Sequence, residues 1–153
     1  MRLFTIAIIA LLMCGLSVMA DAAVTQRTAT IIEMDGTAEI RTPDAKQWKA
    51  ADLGMKLSEG ATIRTESDSL VVLQLEGVET ANVEIKERSV MKLAEFFEDK
   101  DEATQRTLLD LAIGEILITS KKLQSEKSKF EVKTPTSIVG VRGTTFSVSV
   151  EAE

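Results

Sequence analysis

Chemistry has few places to start in this chain. Its 153 residues include no histidine and a single cysteine, Cys14. The commonest general base is therefore missing, a Ser-His-Asp triad cannot be built, and the soft metal ligands reduce to one thiol. Serine stands beside lysine at Ser120-Lys121 and Ser128-Lys129. Adjacent residues of a strand point to opposite faces, so both pairs are read as solvated polar residues. Glycoside hydrolysis needs two carboxyl groups across a cleft, about 5–10 Å apart. The obvious acidic cluster, Glu98, Asp99, Asp101 and Glu102, lies in the most polar stretch of the chain, where burial to raise a pKa is not expected. It also lacks the glycine and the ligand spacing of an EF-hand loop. No catalytic, metal-binding or cofactor-binding residue is assigned, and the chain is read as no enzyme.

Gly140-Val141-Arg142-Gly143 has the G-x-x-G form that clamps nucleic-acid backbone in KH domains. Here it sits between β-branched segments rather than between helices. A phosphate loop would need a longer glycine spacing followed by Lys-Ser/Thr. The formal charge of −6 also repels a polyanion. No nucleic-acid partner is expected.

The elements that carry these residues have period two. From Thr144 the chain alternates, with Phe146, Val148 and Val150 on one face and Thr145, Ser147 and Ser149 on the other, as a strand with one buried and one wet face requires. Shorter strands are predicted at Ala29 to Glu33, Thr37 to Arg41, Leu70 to Leu75, Asn82 to Lys86 and Phe130 to Val132. Leu108 to Ile118 is predicted as a strand broken at Gly114. Between Ser89 and Phe97 two periods compete: Val90, Leu93, Ala94 and Phe97 fit a helix face, Met91 and Leu93 a strand. The strand is preferred because the surroundings have period two. Glu98 to Arg106 is expected to be an exposed loop or a short surface helix. Gly36, Gly60, Gly77, Gly114 and Gly143 each precede a strand-like segment, and Ile-Arg-Thr recurs at 40–42 and 63–65. The glycine spacing is too irregular for a strict repeat. Many short strands joined by glycine-marked turns predict an all-β single domain: a β-roll, a solenoid-like form or a sandwich.

Ahead of this domain, Arg2 and an uncharged run from Leu3 to Val18 lead into small residues around Ala20 to Ala23. A basic start, a short apolar core and such a site form a secretory signal peptide. The apolar run is about 16 residues, short of the roughly 20 of a membrane helix. Residues 1–20 are read as the signal and 28–150 as the domain, with no stable membrane insertion after cleavage. Met13 stands where lipoprotein processing at Cys14 wants a small residue. Cleavage after Ala20 would remove the only cysteine and bring the formal charge to −7. A periplasmic or extracellular location is expected, without disulfides.

The order of these pieces resembles the FecR domain family. The matching residues are Gly36, Trp48, Gly54 to Thr65, Leu70 to Gly77, Ser89 to Leu93 and Gly114 to Ile116. The specific part is the close, Phe130 to Pro135 and Gly140 to Val148, on the pattern F-x-V-x-T-P…G-V-R-G-T-x-F-x-V. Two departures stand out: Ala61 replaces the usual Asp after Gly60, and Gly77-Val78-Glu79 replaces Asp-Gly-Ser. The best-known members of the family are inner-membrane sigma-factor regulators with further segments that are not recognised in this sequence. The resemblance implies a stand-alone, exported protein-interaction or signalling module of the bacterial envelope, partnered by another envelope protein and needing no cofactor. A structural or polysaccharide-binding role is the alternative, resting on Trp48 and the surface acids. Trp48 itself is read as a ring packed over the edge of the core, since no second aromatic is near enough to build a stacking platform. Gly140, Val141, Arg142, Gly143, Thr144 and Phe146 are the candidate interaction site or structural latch. For Arg142 a buried ion pair between strands is favoured over an exposed contact, because the flanking glycines suggest tight packing.

Overall fold

Leu70–Leu75 shows the rule by which this chain folds. Val71, Leu73 and Leu75 are fully buried, while Leu70, Val72 and Gln74 are half-buried on the other face. The same alternation recurs throughout the computed structural model, which describes residues 24–77, 80–121 and 125–151. Every regular element among them is a strand. These are β1 (Val24–Gln26), β2 (Ala29–Asp35), β3 (Ala38–Arg41), β4 (Lys49–Ala50), β5 (Lys56–Leu57), β6 (Thr62–Thr65) and β7 (Leu70–Leu75). The second half supplies β8 (Ala81–Ile85), β9 (Val90–Asp99), β10 (Thr104–Ser120), β11 (Lys129–Lys133), β12 (Ile138–Val141) and β13 (Thr144–Val150). No helix of the described residues is long and apolar enough to cross a membrane. The signal peptide read at 1–20 and the departures at Val78 and Glu79 lie outside the described residues.

The 17-residue strand β10 is the spine. Its first part lies between β9, antiparallel, and β11, parallel. Its last part, Gly114 to Ser120, lies between β8 and β13. One strand thus belongs to two half-sheets. The first runs β4-β3-β6-β9-β10-β11-β12, with β1 on the far end of β9; the second runs β5-β2-β7-β8-β10-β13. Between them the sheet curls over a single core. Ile40, Ile63, Met91, Leu93, Leu109 and Val132 come from the first half-sheet and Ile31, Leu73, Val83 and Ile116 from the second. This is the expected all-β single domain, nearest the roll of the three forms. Its strand order is too far from sequence order for a coil of successive solenoid turns.

Of three local expectations, one holds and two change. At Ser89 to Phe97 the strand is right, and it carries a bulge. Leu109 pairs with Leu93 but Leu108 with Glu95, so Ala94 is an extra, bulged residue. The bulge shifts the buried set from Met91 and Leu93 to Phe96, while Val90, Ala94 and Phe97 of the helical spacing are only half-buried. Glu98 to Arg106 is not a loop or a helix: β9 runs to Asp99, β10 starts at Thr104, and only four residues turn between them. Pairing of Glu98 with Thr25 and Gln105, and burial of Gln105 with its amide donating to Ser128 Oγ at 3.0 Å, override the charged composition. At Gly114 the strand bends without breaking.

Candidate functional site

The closing stretch is the link that carries the chain from one half-sheet to the other. β12 ends the first half-sheet through its pairing with β11, and β13 ends the second through its pairing with β10. Only Arg142 and Gly143 separate the two strands. The hairpin leading into β12 is closed by Thr134, whose amide donates to the Ser137 carbonyl at 2.8 Å and whose Oγ1 accepts from the Ser137 amide at 3.0 Å.

Within the link the residues have different fates. Val141 is buried opposite Phe130, its cross-strand neighbour. Gly143 has φ +88°, a left-handed turn conformation. Arg142 is exposed and makes no ion pair among the described residues. Gly140 is exposed, with no heavy atom within 4 Å of where a Cβ would stand. The buried ion pair and the tight packing expected around Arg142 are both absent. Of the flanking glycines, one makes the turn, and the other faces open space.

Along β13 the alternation holds. Val148 is buried opposite Ile116, and Phe146 and Val150 are half-buried against the core. The opposite face is polar: Thr145 Oγ1 lies 3.4 Å from Thr119 Oγ1, and Ser147 Oγ donates to Glu115 Oε1 at 2.9 Å. Thr144 opens the strand, its backbone opposite Ser120. Since the Phe146 ring is only half-buried, Phe146→Ala is expected to cost about 1–2 kcal/mol, less than a core aromatic. A shift above that range in urea denaturation would show that the ring is more deeply held.

Trp48 is half-buried, but it packs on the outer face of the first half-sheet and not over the core edge. The Arg41 and Arg64 guanidinium carbons lie 4.7 and 4.4 Å from its ring. These arginines come from the two Ile-Arg-Thr triplets. Ile40 pairs directly with Ile63, so the side chains one residue on both emerge on the outer face beside the ring. Arg64 is also ion-paired with Glu39. With two cations over the ring, Trp48 is used within the fold, which favours packing over ligand stacking. The recurring triplet was the sequence signal for this cluster.

Further along the same face, Arg106 is ion-paired with Glu95 and, at 3.0 Å, with Glu131. The hydrogen bond to Glu95 holds its pKa above the ordinary value. Sequence reasoning missed this bridge across β9, β10 and β11. It also missed Arg27, a buried arginine whose Nε donates to the Glu76 carbonyl at 2.8 Å.

The serines beside lysines are not the solvated residues expected. Ser128 is buried, and Ser120 Oγ is buried with no hydrogen-bond partner among the described residues. In the acidic cluster, Asp99 Oδ1 accepts from the amides of Asp101 and Glu102 at 3.0 and 3.1 Å, which shapes the β9–β10 turn. A cleft of about 760 Å³ lies at the bend of β10 between Asp68, Arg88, Gly114, Glu115 and Ser149. Its lining mixes both charges and includes no residue of the 140–144 link.

Comparison with curated proteins returned no match, and neither did comparison with solved structures. A family model described as FecR protein matches residues 61–153. The match takes in the whole of the bent spine and the closing link, and begins after Gly36, Trp48 and Gly54. Ala61, its first residue, is buried where the resemblance leads one to expect Asp, and its amide still closes the turn onto the Ser58 carbonyl at 3.1 Å. The match covers more than half of the chain, and the chain belongs to the FecR protein family.

Proposed function

We propose that this chain is an exported, non-enzymatic interaction and signalling module of the bacterial cell envelope, and that the 138–142 segment meets a protein partner. The observation that carries this reading is the surface left over at the link. Ile138 is 64% exposed and Arg142 stands free of ion pairs among the described residues, both inside the family-matched region. An exposed β-branched residue and an unpaired arginine contribute little to the fold's own stability. Arginine is enriched in the energetic centres of protein interfaces. Export rests on the leader sequence, and the signalling role on family membership.

The test separates binding from folding. Arg142→Ala should leave the denaturation midpoint unchanged, since the side chain has no partner to lose. The same variant should lose at least tenfold in affinity for an envelope partner identified by cross-linking in intact cells. Equal affinity of wild type and variant for that partner would remove Arg142 from the interface. A chain recovered from the cytoplasm with its first 20 residues intact would overturn export.

A further inference from the structure

β12 is an edge with an unusual glycine. Among the described residues it pairs with β11 alone, so its other side presents unpaired backbone groups. Natural edge strands are commonly blunted by charge, proline or a bulge. Ile138-Val139-Gly140-Val141 has no charge and no proline, and its register with β11 is unbroken. Of the described glycines, Gly140 alone lacks a positive φ. It also has no heavy atom within 4 Å of a notional Cβ. Neither backbone conformation nor internal packing therefore calls for glycine here, although glycine inside a strand weakens it. The remaining physical reason for a strand glycine is close approach by something outside the molecule.

The faces of β12 identify what that is. Val139 and Val141 pair with the buried Val132 and Phe130 and share their face, where Val141 is buried and Val139 stays 37% exposed; Ile138 and Gly140 pair with Lys133 and Glu131 on the outer face. In an antiparallel pair, residues directly opposite each other share a face. Two copies of β12 related by a two-fold axis through Val139 satisfy this condition. Ile138 then lies opposite Gly140 of the other copy, twice, so an apolar side chain that is 64% exposed in the monomer covers the bare glycine. A larger cross-strand side chain is a known way to shield a glycine at a sheet edge. In this register Arg142 faces Thr136 of the other copy, and no two like charges meet. We infer that β12 is a homotypic docking edge, joining the first half-sheets of two copies of this chain into one continuous antiparallel sheet.

Four residues of strand are about 13 Å long, well below a standard interface, so association is weak, with a dissociation constant on the order of 0.1 mM. The inference does not depend on the heterologous partner proposed above, because its test uses the purified chain alone. Sedimentation of the full chain at near-physiological salt should show a reversible monomer–dimer equilibrium. Gly140→Val, which has room in the monomer, should keep the melting temperature and weaken the dimer at least tenfold. Arg142→Ala should leave the dimer intact. In a Cys14→Ser background, mild oxidation should cross-link Val139→Cys, whose two copies sit on the axis. Ile138→Cys should not cross-link, because its copies are diagonal at roughly 7–8 Å. A chain that stays monomeric to about 1 mM would overturn the inference. So would a dimer indifferent to Gly140→Val, or cross-linking of Ile138→Cys as fast as Val139→Cys.

Discussion

Phe96→Ala is expected to lower stability by about 3–5 kcal/mol, a large part of the 5–15 kcal/mol typical of a native domain. Phe96 is fully buried. Removing its ring opens a cavity among rigid strands that cannot collapse to fill it. The ring has a second task. The Arg27 guanidinium carbon lies 4.4 Å from its centroid, and Arg27 is itself only 5% exposed. A buried cation depends on every partner it has. Arg27 holds the Glu76 carbonyl at 2.8 Å and Thr107 Oγ1 at 2.6 Å, which ties the start of β2 to β7 and β10. Phe96→Leu separates the two tasks, because it keeps most of the volume and loses the π face. It is expected to cost about 1–2 kcal/mol. Urea denaturation, followed by the midpoint at constant slope, measures both. A midpoint for Phe96→Ala within error of wild type would refute the core assignment. Equal losses for the two variants would place the whole effect in the cation contact.

The fold was legible wherever a residue's role depended on its own strand. Alternation put Val148 on the inner face of β13, where it is buried, and the apolar run Leu70 to Leu75 was read as a strand, as it is. The glycines that precede strands mark turns and the bend of β10. Roles set by another strand were harder to read. Ala94 looked like part of a helix face because its bulge exists only against Leu108 and Leu109 of β10. Glu98 and Gln105 looked like loop residues because β1 and Ser128, which pair with them, lie far away in sequence. The G-V-R-G link was recognised by type, but its exposure was not foreseen. Glycine on both sides of Arg142 is equally compatible with crowding and with open space, and only the positions of β11 and β13 decide. Trp48 shows the intermediate case. The repeated Ile-Arg-Thr was visible, and its meaning followed once Ile40 and Ile63 were seen to pair.

Gly114→Ala should cost about 2–5 kcal/mol, combining a left-handed backbone penalty of roughly 1–2 kcal/mol with overpacking of about 1–3 kcal/mol. Gly114 has φ +96°, and a Cβ there would meet Ser89 Oγ first and stand 2.5 Å from both Cα and Cβ of Ser89. Ser89 cannot retreat. It is fully buried, its amide donates to Thr65 Oγ1 at 3.0 Å, and its Oγ accepts from the Glu115 amide at 3.0 Å. Thr65 Oγ1 in turn donates to the Lys86 carbonyl at 2.6 Å. These bonds fasten β6 and the β8–β9 turn to the point where β10 leaves one half-sheet for the other. An added methyl group therefore strains both half-sheets and not just one turn. Ser89→Ala relieves the contact with Oγ but should rescue Gly114→Ala only in part, because it keeps the Cβ. Ser89→Gly removes it and should recover at least about 1 kcal/mol of coupling in a double-mutant cycle. Additive losses in that cycle would show that the Ser89 contact is not what requires glycine at the bend. A Gly114→Ala midpoint within about 0.5 kcal/mol of wild type would show that the bend itself does not require it.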